Sequence, residues 1–223
     1  MKLKMGRVLV VGMARSGIAA AQLLLSYGAT PVLYDAKKAG AFGDSLDVLK
    51  NTACEFHLGE DPNALLDGCE LVVISPGVPI DAPIVKAARE KGVLLIGELE
   101  LGFSLAQGEI LAVSGTNGKT TTVTLLGKMF ENAGRVTRVA GNIGYPLSAA
   151  AMESRKDDVI VVEVSSFQLE TIRAFRPCVA ALLNITQDHL NRHGTMEQYI
   201  RLKQRIFENQ TAEDVAVLNL DDP

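Results

Sequence analysis

Short apolar runs recur along the chain, each closed by glycine or small polar residues and followed by a stretch of helical spacing. Val8, Leu9, Val10 and Val11 stop at Gly12, and an Ala/Leu-rich stretch over 16–27 then ends at Gly28. Such a run predicts a buried strand, a tight turn and a helix. Further strands are predicted over 30–35, 69–75 and 93–96. A helix before the last of them has Asp81 as cap, Pro83 in its first turn and Gly92 at its end. The pattern restarts with a strand at 110–113 and a helix over 120–133 stopped by Gly134. Strands at 135–140, 158–164 and 179–185 follow, with a helix over 146–154. Strands alternating with helices predict an α/β fold with parallel sheets that gather ligands at the strands' carboxyl ends. The restart beside Gln107 and Gly108 divides the chain into 1–108, a Rossmann-like domain, and 109–223, a P-loop-type α/β domain.

Composition narrows the class. The 223 residues are 48% hydrophobic, ample for a packed core, and the net charge of −4 argues against a broad nucleic-acid surface. Basic residues precede the first apolar run as in a signal peptide, but that run is too short for one, and no stretch has the length to cross a bilayer. Cys54, Cys69 and Cys178 are odd in number and form no CxxC pair, which predicts reduced thiols in a cytoplasmic protein.

The segment 110–122, ILAVSGTNGKTTT, has the order strand, glycine loop, helix. Gly115 and Gly118 free backbone N–H groups to turn towards one anion, and the helix adds its positive end. Lys119 supplies a cation for outer phosphates and Thr120 a hydroxyl for Mg²⁺. Val113 stands where the common GxxxxGK[ST] pattern has its first glycine, so a plain polar turn with an exposed lysine is the competing reading. In the first domain, 12–17 reads as GxGxxG with Ala14 in the middle place, and Asp35 ends the second strand. This is compatible with a nucleotide site, NAD included, and equally with a tight βα turn.

Three more side chains merit chemical readings. Glu163, at a strand exit beside Ser165, Ser166 and Gln168, suits a Mg²⁺ ligand or a helix cap. His189 sits at another strand end where ligands converge, whereas His193 reads as structural or solvated. Thr195 and Gln198 match a capping box for a helix over 196–208, on which Lys203 falls on the apolar face of Met196, Tyr199, Ile200, Ile206 and Phe207. Either its stem packs while its ammonium reaches water, or the amine is buried, loses its charge and takes up CO₂ as an anionic carbamate able to bind metal.

Taken together, the segments GTNGKT (115–120), GNIG (141–144), EVSSFQLE (163–170), NITQDH (184–189) and Lys203 strongly resemble the Mur ligases over the whole chain, and SSFQLE points to the members that add D-glutamate. The resemblance implies a first domain that binds the UDP of a sugar substrate and a central domain that binds ATP. Gly115, Thr116, Asn117, Gly118, Lys119, Thr120 and Thr121 would form the ATP loop. Thr120 and Glu163 would hold one Mg²⁺, and His189 with carbamylated Lys203 a second metal position. Arg15, Ser16, Asp35, Gly77, Asn142, Ser165 and Gln168 would meet the UDP-sugar. The implied reaction phosphorylates the carboxylate of UDP-N-acetylmuramoyl-L-alanine with ATP, and the amine of D-glutamate then attacks the acyl phosphate. A monomer is expected. The chain ends inside what is the central domain in that family, so an exposed apolar sheet edge is expected, with ligand binding but no ligation by this chain alone. A binding module without catalysis, a nicotinamide-dependent oxidoreductase and a sibling such as a folylpolyglutamate synthase remain the alternatives.

Overall fold

The structure, a computed structural model, describes residues 6–222; the first five residues of the expected first domain and Pro223 lie outside the described residues. The first unit runs β1 (Arg7–Val11), α1 (Arg15–Ser26), β2 (Thr30–Asp35), β3 (Glu55–Leu58), β4 (Cys69–Ile74), α2 (Pro83–Glu90) and β5 (Leu94–Gly97). Its five strands form a parallel sheet in the order β3-β2-β1-β4-β5. Alternate residues of β1 enter opposite cores. Val8 and Val10 meet Ala20, Leu23 and Leu24 of α1, while Leu9 and Val11 lie in the core that holds Ile84, Val85 and Ala88 of α2. Burial on both faces is why this strand is apolar without alternation.

α3 (Glu98–Leu105) leads to the second unit: β6 (Glu109–Ser114), α4 (Lys119–Asn132), β7 (Thr137–Gly141), α5 (Leu147–Glu153), β8 (Val159–Glu163), α6 (Ser166–Leu169), β9 (Val179–Leu182), α7 (Leu190–His193), α8 (Met196–Gln204) and β10 (Val215–Leu218). Its strands are again parallel, in the order β10-β9-β6-β8-β7. In each sheet the order reverses around a central strand, β1 and β6, and the loops after those two strands are the glycine-bearing ones. A crevice at that reversal is where open parallel sheets take ligands.

The α/β class and parallel sheets match the sequence expectation, and several details differ. Asp81 is not the cap of α2: Ala82 occupies the N-cap, with Pro83 directly after it, which leaves Asp81 one residue too early. The helix carrying Lys203 ends at Gln204 and tightens into a 3₁₀ turn, Arg205–Phe207, a common way to satisfy a helix's last carbonyls. Thr195 accepts the Gln198 N–H at 3.2 Å as expected. The reciprocal capping box forms at Ser165 and Gln168 instead. β3, α3 and the 3₁₀ segments Ala39–Leu49 and Asn63–Leu66 have no counterpart in the sequence reading.

α3 ties the two units together. Leu101 belongs to a core of the first sheet and Leu99 to a core of the second, and Ala151 of α5 reaches into the former. Glu98 accepts the Ser148 N–H at 2.6 Å, and the Glu100 carboxylate accepts N–H groups from Arg173, Ala174 and Phe175 at 2.9, 2.8 and 3.0 Å. On the far side, β10 is an edge strand with Val215, Val217 and Leu218 exposed, as expected of the sheet edge.

Candidate functional site

The loop after β6 and the end of β7 each depend on a glycine. Gly118 caps α4 with φ of +82°, a left-handed conformation that a side chain resists. Gly141, with φ of +107°, closes β7 so tightly on β8 that a Cβ there would sit 2.1 Å from the Glu163 carbonyl oxygen. That approach sets Asn142 against Glu163: the Asn142 amide donates to the Glu163 carbonyl at 2.8 Å and its side-chain amide to Oε1 at 2.9 Å. Oε2 of the same carboxylate accepts the Thr120 hydroxyl at 2.7 Å. Glu163 is buried while Thr120 is exposed, so a hydroxyl on the open side of the loop meets a shielded strand-end carboxylate.

Two lysines converge on one carbonyl. Lys119 Nζ donates to Gly115 O at 2.9 Å and to Thr116 O at 2.8 Å, and Lys203 Nζ donates to Gly115 O at 2.7 Å. Lys203 is 1% exposed, which removes the reading in which its ammonium reaches water. Burial, and the neighbouring Lys119 charge after it, lower its pKa to about 8, with Asp188 opposing. Thr121 lies exposed in the first turn of α4.

Residues after β9 brace the loop. Asn184 accepts the Thr116 and Asn117 N–H groups through its backbone and side-chain oxygens, at 2.9 and 2.8 Å. Thr186 N–H donates to the Thr116 hydroxyl at 3.0 Å, and the Tyr199 hydroxyl lies 3.3 Å from the same atom. Asn184, Thr186 and Tyr199 were not singled out as site residues from the sequence. Their signal was available only as the segment around His189 and the apolar face around Lys203. His189 itself begins α7 with φ of +50°, half-exposed, its Nε2 3.3 Å from Asp188 and its ring 5.0 Å from that of Phe167. Its contacts thus lie with Asp188, Phe167 and the α7 backbone, not with Glu163 or Thr120.

His193 is structural, as the sequence reading had it, though buried rather than solvated. Its Nε2 is 3.0 Å from Ser166 Oγ, its Nδ1 3.7 Å from Glu170, and its ring stacks on Tyr199. Burial pulls its pKa down. Ser166, His193 and Glu170 have the order of a nucleophile, base and acid, but Ser166 is 3% exposed and presents no hydroxyl to a substrate.

A cleft of about 660 Å³ opens at the carboxyl ends of β1, β2 and β4 and reaches Asn142 and Gln168 of the second unit. Ser16, Asp35, Gly77 and Asn142 line it. Arg15 is exposed at the start of α1 and is not among the lining residues. The Asp35 carboxylate accepts the Met13 and Lys37 N–H groups at 2.8 and 2.9 Å, so it holds the glycine turn in place. Ser165 and Gln168 serve each other: both the amide and the hydroxyl of Ser165 donate to Gln168 Oε1 at 2.9 Å.

The description "Mur ligase MurD-like, N-terminal domain" matches residues 6–97, and "Mur ligase middle domain" matches 113–223. Over its full length the chain is 51% identical to the UDP-N-acetylmuramoylalanine--D-glutamate ligase of Caldanaerobacter subterraneus subsp. tengcongensis. It is 50% identical to the protein of the same name from a Thermoanaerobacter species. The chain belongs to the Mur ligase family. It spans about half the length of these relatives, 50% and 49%. A solved Mur-type structure, UDP-N-acetylmuramate:L-alanyl-gamma-D-glutamyl-meso-diaminopimelate ligase from Neisseria meningitides, superposes with a TM-score of 0.65. At 20% identity, over 97% of this chain and 72% of that one, it shows a shared fold.

Membership in the Mur ligases implies use of ATP and Mg²⁺, and the donor set fits both. Thr120 and Glu163 offer hard oxygen donors, the kind Mg²⁺ takes, within 2.7 Å of each other. Gly115 to Lys119 lead into the N-terminus of α4, a 14-residue helix, with two ammonium groups beside the loop. Among the described residues no three His, Cys, Asp or Glu side chains cluster as a ready-made metal cage. Mg²⁺ bound largely through substrate phosphates needs none. No helix among the described residues is long and apolar enough to cross a membrane.

Proposed function

We propose that this chain supplies the UDP-sugar-binding and ATP-binding parts of a cytoplasmic ligase that joins D-glutamate to UDP-N-acetylmuramoyl-L-alanine. The observation that carries the reading is the contact of Thr120 with Glu163 beneath a loop flanked by Lys119 and Lys203. It is supported by relatives that bear that activity in their names. The division falls near Gln107 and Gly108, with the UDP-sugar in the cleft of the first unit and ATP on the loop of the second. Those relatives are about twice as long, so ligation is assigned to the full-length gene product and ligand binding to this chain.

In this reading two anions, a carboxylate and the γ-phosphate of ATP, must be brought together. Lys119 and the loop amides would hold the phosphates, and Thr120 and Glu163 would hold Mg²⁺. The metal offsets phosphate charge and polarises the transferred group. Asn142, bonded to Glu163 and lining the cleft, faces both ligands. Lys203, buried with its pKa lowered to about 8, keeps a fraction of free amine near neutral pH. Its free amine would bond to the carbon of CO₂ and release a proton to solvent, and the resulting carbamate would stand with His189 as an anionic donor for a second metal ion. The amine of D-glutamate attacks the activated carboxyl, forming the C–N bond, and phosphate leaves. No acyl or phosphoryl group is passed to a protein nucleophile, which suits a chain whose paired serine and histidine, Ser166 and His193, are buried.

One experiment with two arms tests this. The full-length product should release phosphate from ATP only when UDP-N-acetylmuramoyl-L-alanine and D-glutamate are both present, and more slowly after bicarbonate and CO₂ are stripped from the buffer. Release without D-glutamate contradicts the reaction; indifference to bicarbonate contradicts the carbamate.

A further inference from the structure

Arg192 has no place in the site described above, yet it touches both halves of the molecule. From α7 its Nη2 donates to Glu170 Oε2 at 2.7 Å and to the carbonyl of Val78, in the loop after β4, at 3.3 Å. Its guanidinium carbon lies 4.4 Å from the centre of the Phe167 ring. The Glu170 side chain is 5% exposed, so the ion pair is largely shielded from water. Val78 lines the cleft assigned to the UDP-sugar. One planar side chain therefore joins an acid, a ring and a carbonyl drawn from two units, a geometry that lysine does not reproduce.

What it holds in place is the turn that carries His189. α7 has four residues, too few to stand as a helix alone. It opens on His189 at φ of +50°, a conformation that persists for a side-chain-bearing residue only when the surroundings impose it. The His189 carbonyl accepts the N–H groups of Arg192 and His193, at 3.0 and 3.1 Å. The His193 side chain then fixes the turn to Ser166 and Tyr199 of its own unit. The Arg192 side chain fixes it to the cleft loop of the other.

We propose that Arg192 is a positioning residue that couples the cleft loop to the turn carrying His189, so that a uridine diphosphate in the cleft orders the His189 side of the phosphate site. The ligand half of this rests on the function proposed above; the strap itself does not.

Hydrogen–deuterium exchange tests it on this chain, unmodified and as R192K, with R192Q as a second variant should R192K lose the native circular dichroism spectrum. R192K keeps a charge opposite Glu170 but loses the planar guanidinium that sits beside Phe167 while one of its nitrogens reaches both Glu170 and Val78. Without ligand, the variant should exchange faster, by about threefold or more, both at Gly77, Val78 and Ile80 and across 186–194. Unchanged exchange in the cleft loop overturns the strap. Added UDP should protect both segments in the unmodified chain and only the cleft loop in R192K. Equal protection of 186–194 in both proteins overturns the coupling, as does protection confined to the cleft loop in the unmodified chain. UDP that protects neither segment contradicts the assignment of the cleft, while the ligand-free arm still decides the strap.

Discussion

Glu98 is 1% exposed; one of its carboxyl oxygens accepts the Ser148 N–H, and the other has no hydrogen-bond partner among the described residues. Burial raises its pKa, and the bonds from Ser148 pull the other way without cancelling the effect. A group whose pKa is higher folded than unfolded contributes stability that is fully present below its ordinary value and is lost as pH rises through the folded value. Urea unfolding from about pH 4 to about pH 8 should therefore show the native chain losing stability relative to E98Q as pH rises. Superimposable pH curves would contradict this. The sequence carried no sign of it. In the run Glu98, Leu99, Glu100, Leu101 all four residues are buried, and the groups that receive the acids lie about fifty and seventy-five positions further along. Lys203 was legible only in part: helical spacing put it on an apolar face, but the carbonyl that receives its ammonium belongs to Gly115, 88 residues away.

At the scale of elements, long apolar runs were readable because burial on both faces of a parallel sheet leaves no polar position in the strand. β3 was not, since it is an edge strand with Glu55 and Phe56 exposed. α6 and α7, four residues each, are too short to show a period. α3 was hidden by its alternating acids, although it is the element on which the two units join. Its Glu100 carboxylate, 3% exposed, satisfies three consecutive amides of the loop before β9. E100Q keeps the shape but turns a donor towards those donors, and should lower the unfolding free energy by about 1–3 kcal/mol. Denaturant titration checks this; a change below about 0.5 kcal/mol would mean that those amides find other partners.

Across the whole molecule, two sheets present their reversal points in such a way that Asn142 of the second unit lines the cleft of the first and also bonds Glu163 of the phosphate site. The restart of the strand–helix pattern made two units readable in the sequence. How they meet was not, because the contacts join residues far apart in the chain, such as Arg192 with Val78 and Glu98 with Ser148. The proposed function requires the loop from Gly115 to Thr120 to act with Glu163 as a site for a magnesium-bound triphosphate. Calorimetric titration of this chain with Mg²⁺ and a non-hydrolysable ATP analogue, beside K119A of unchanged circular dichroism, tests that most directly. Binding by the native chain that weakens about tenfold or more in K119A is the predicted result, and equal affinity in the two proteins would contradict it.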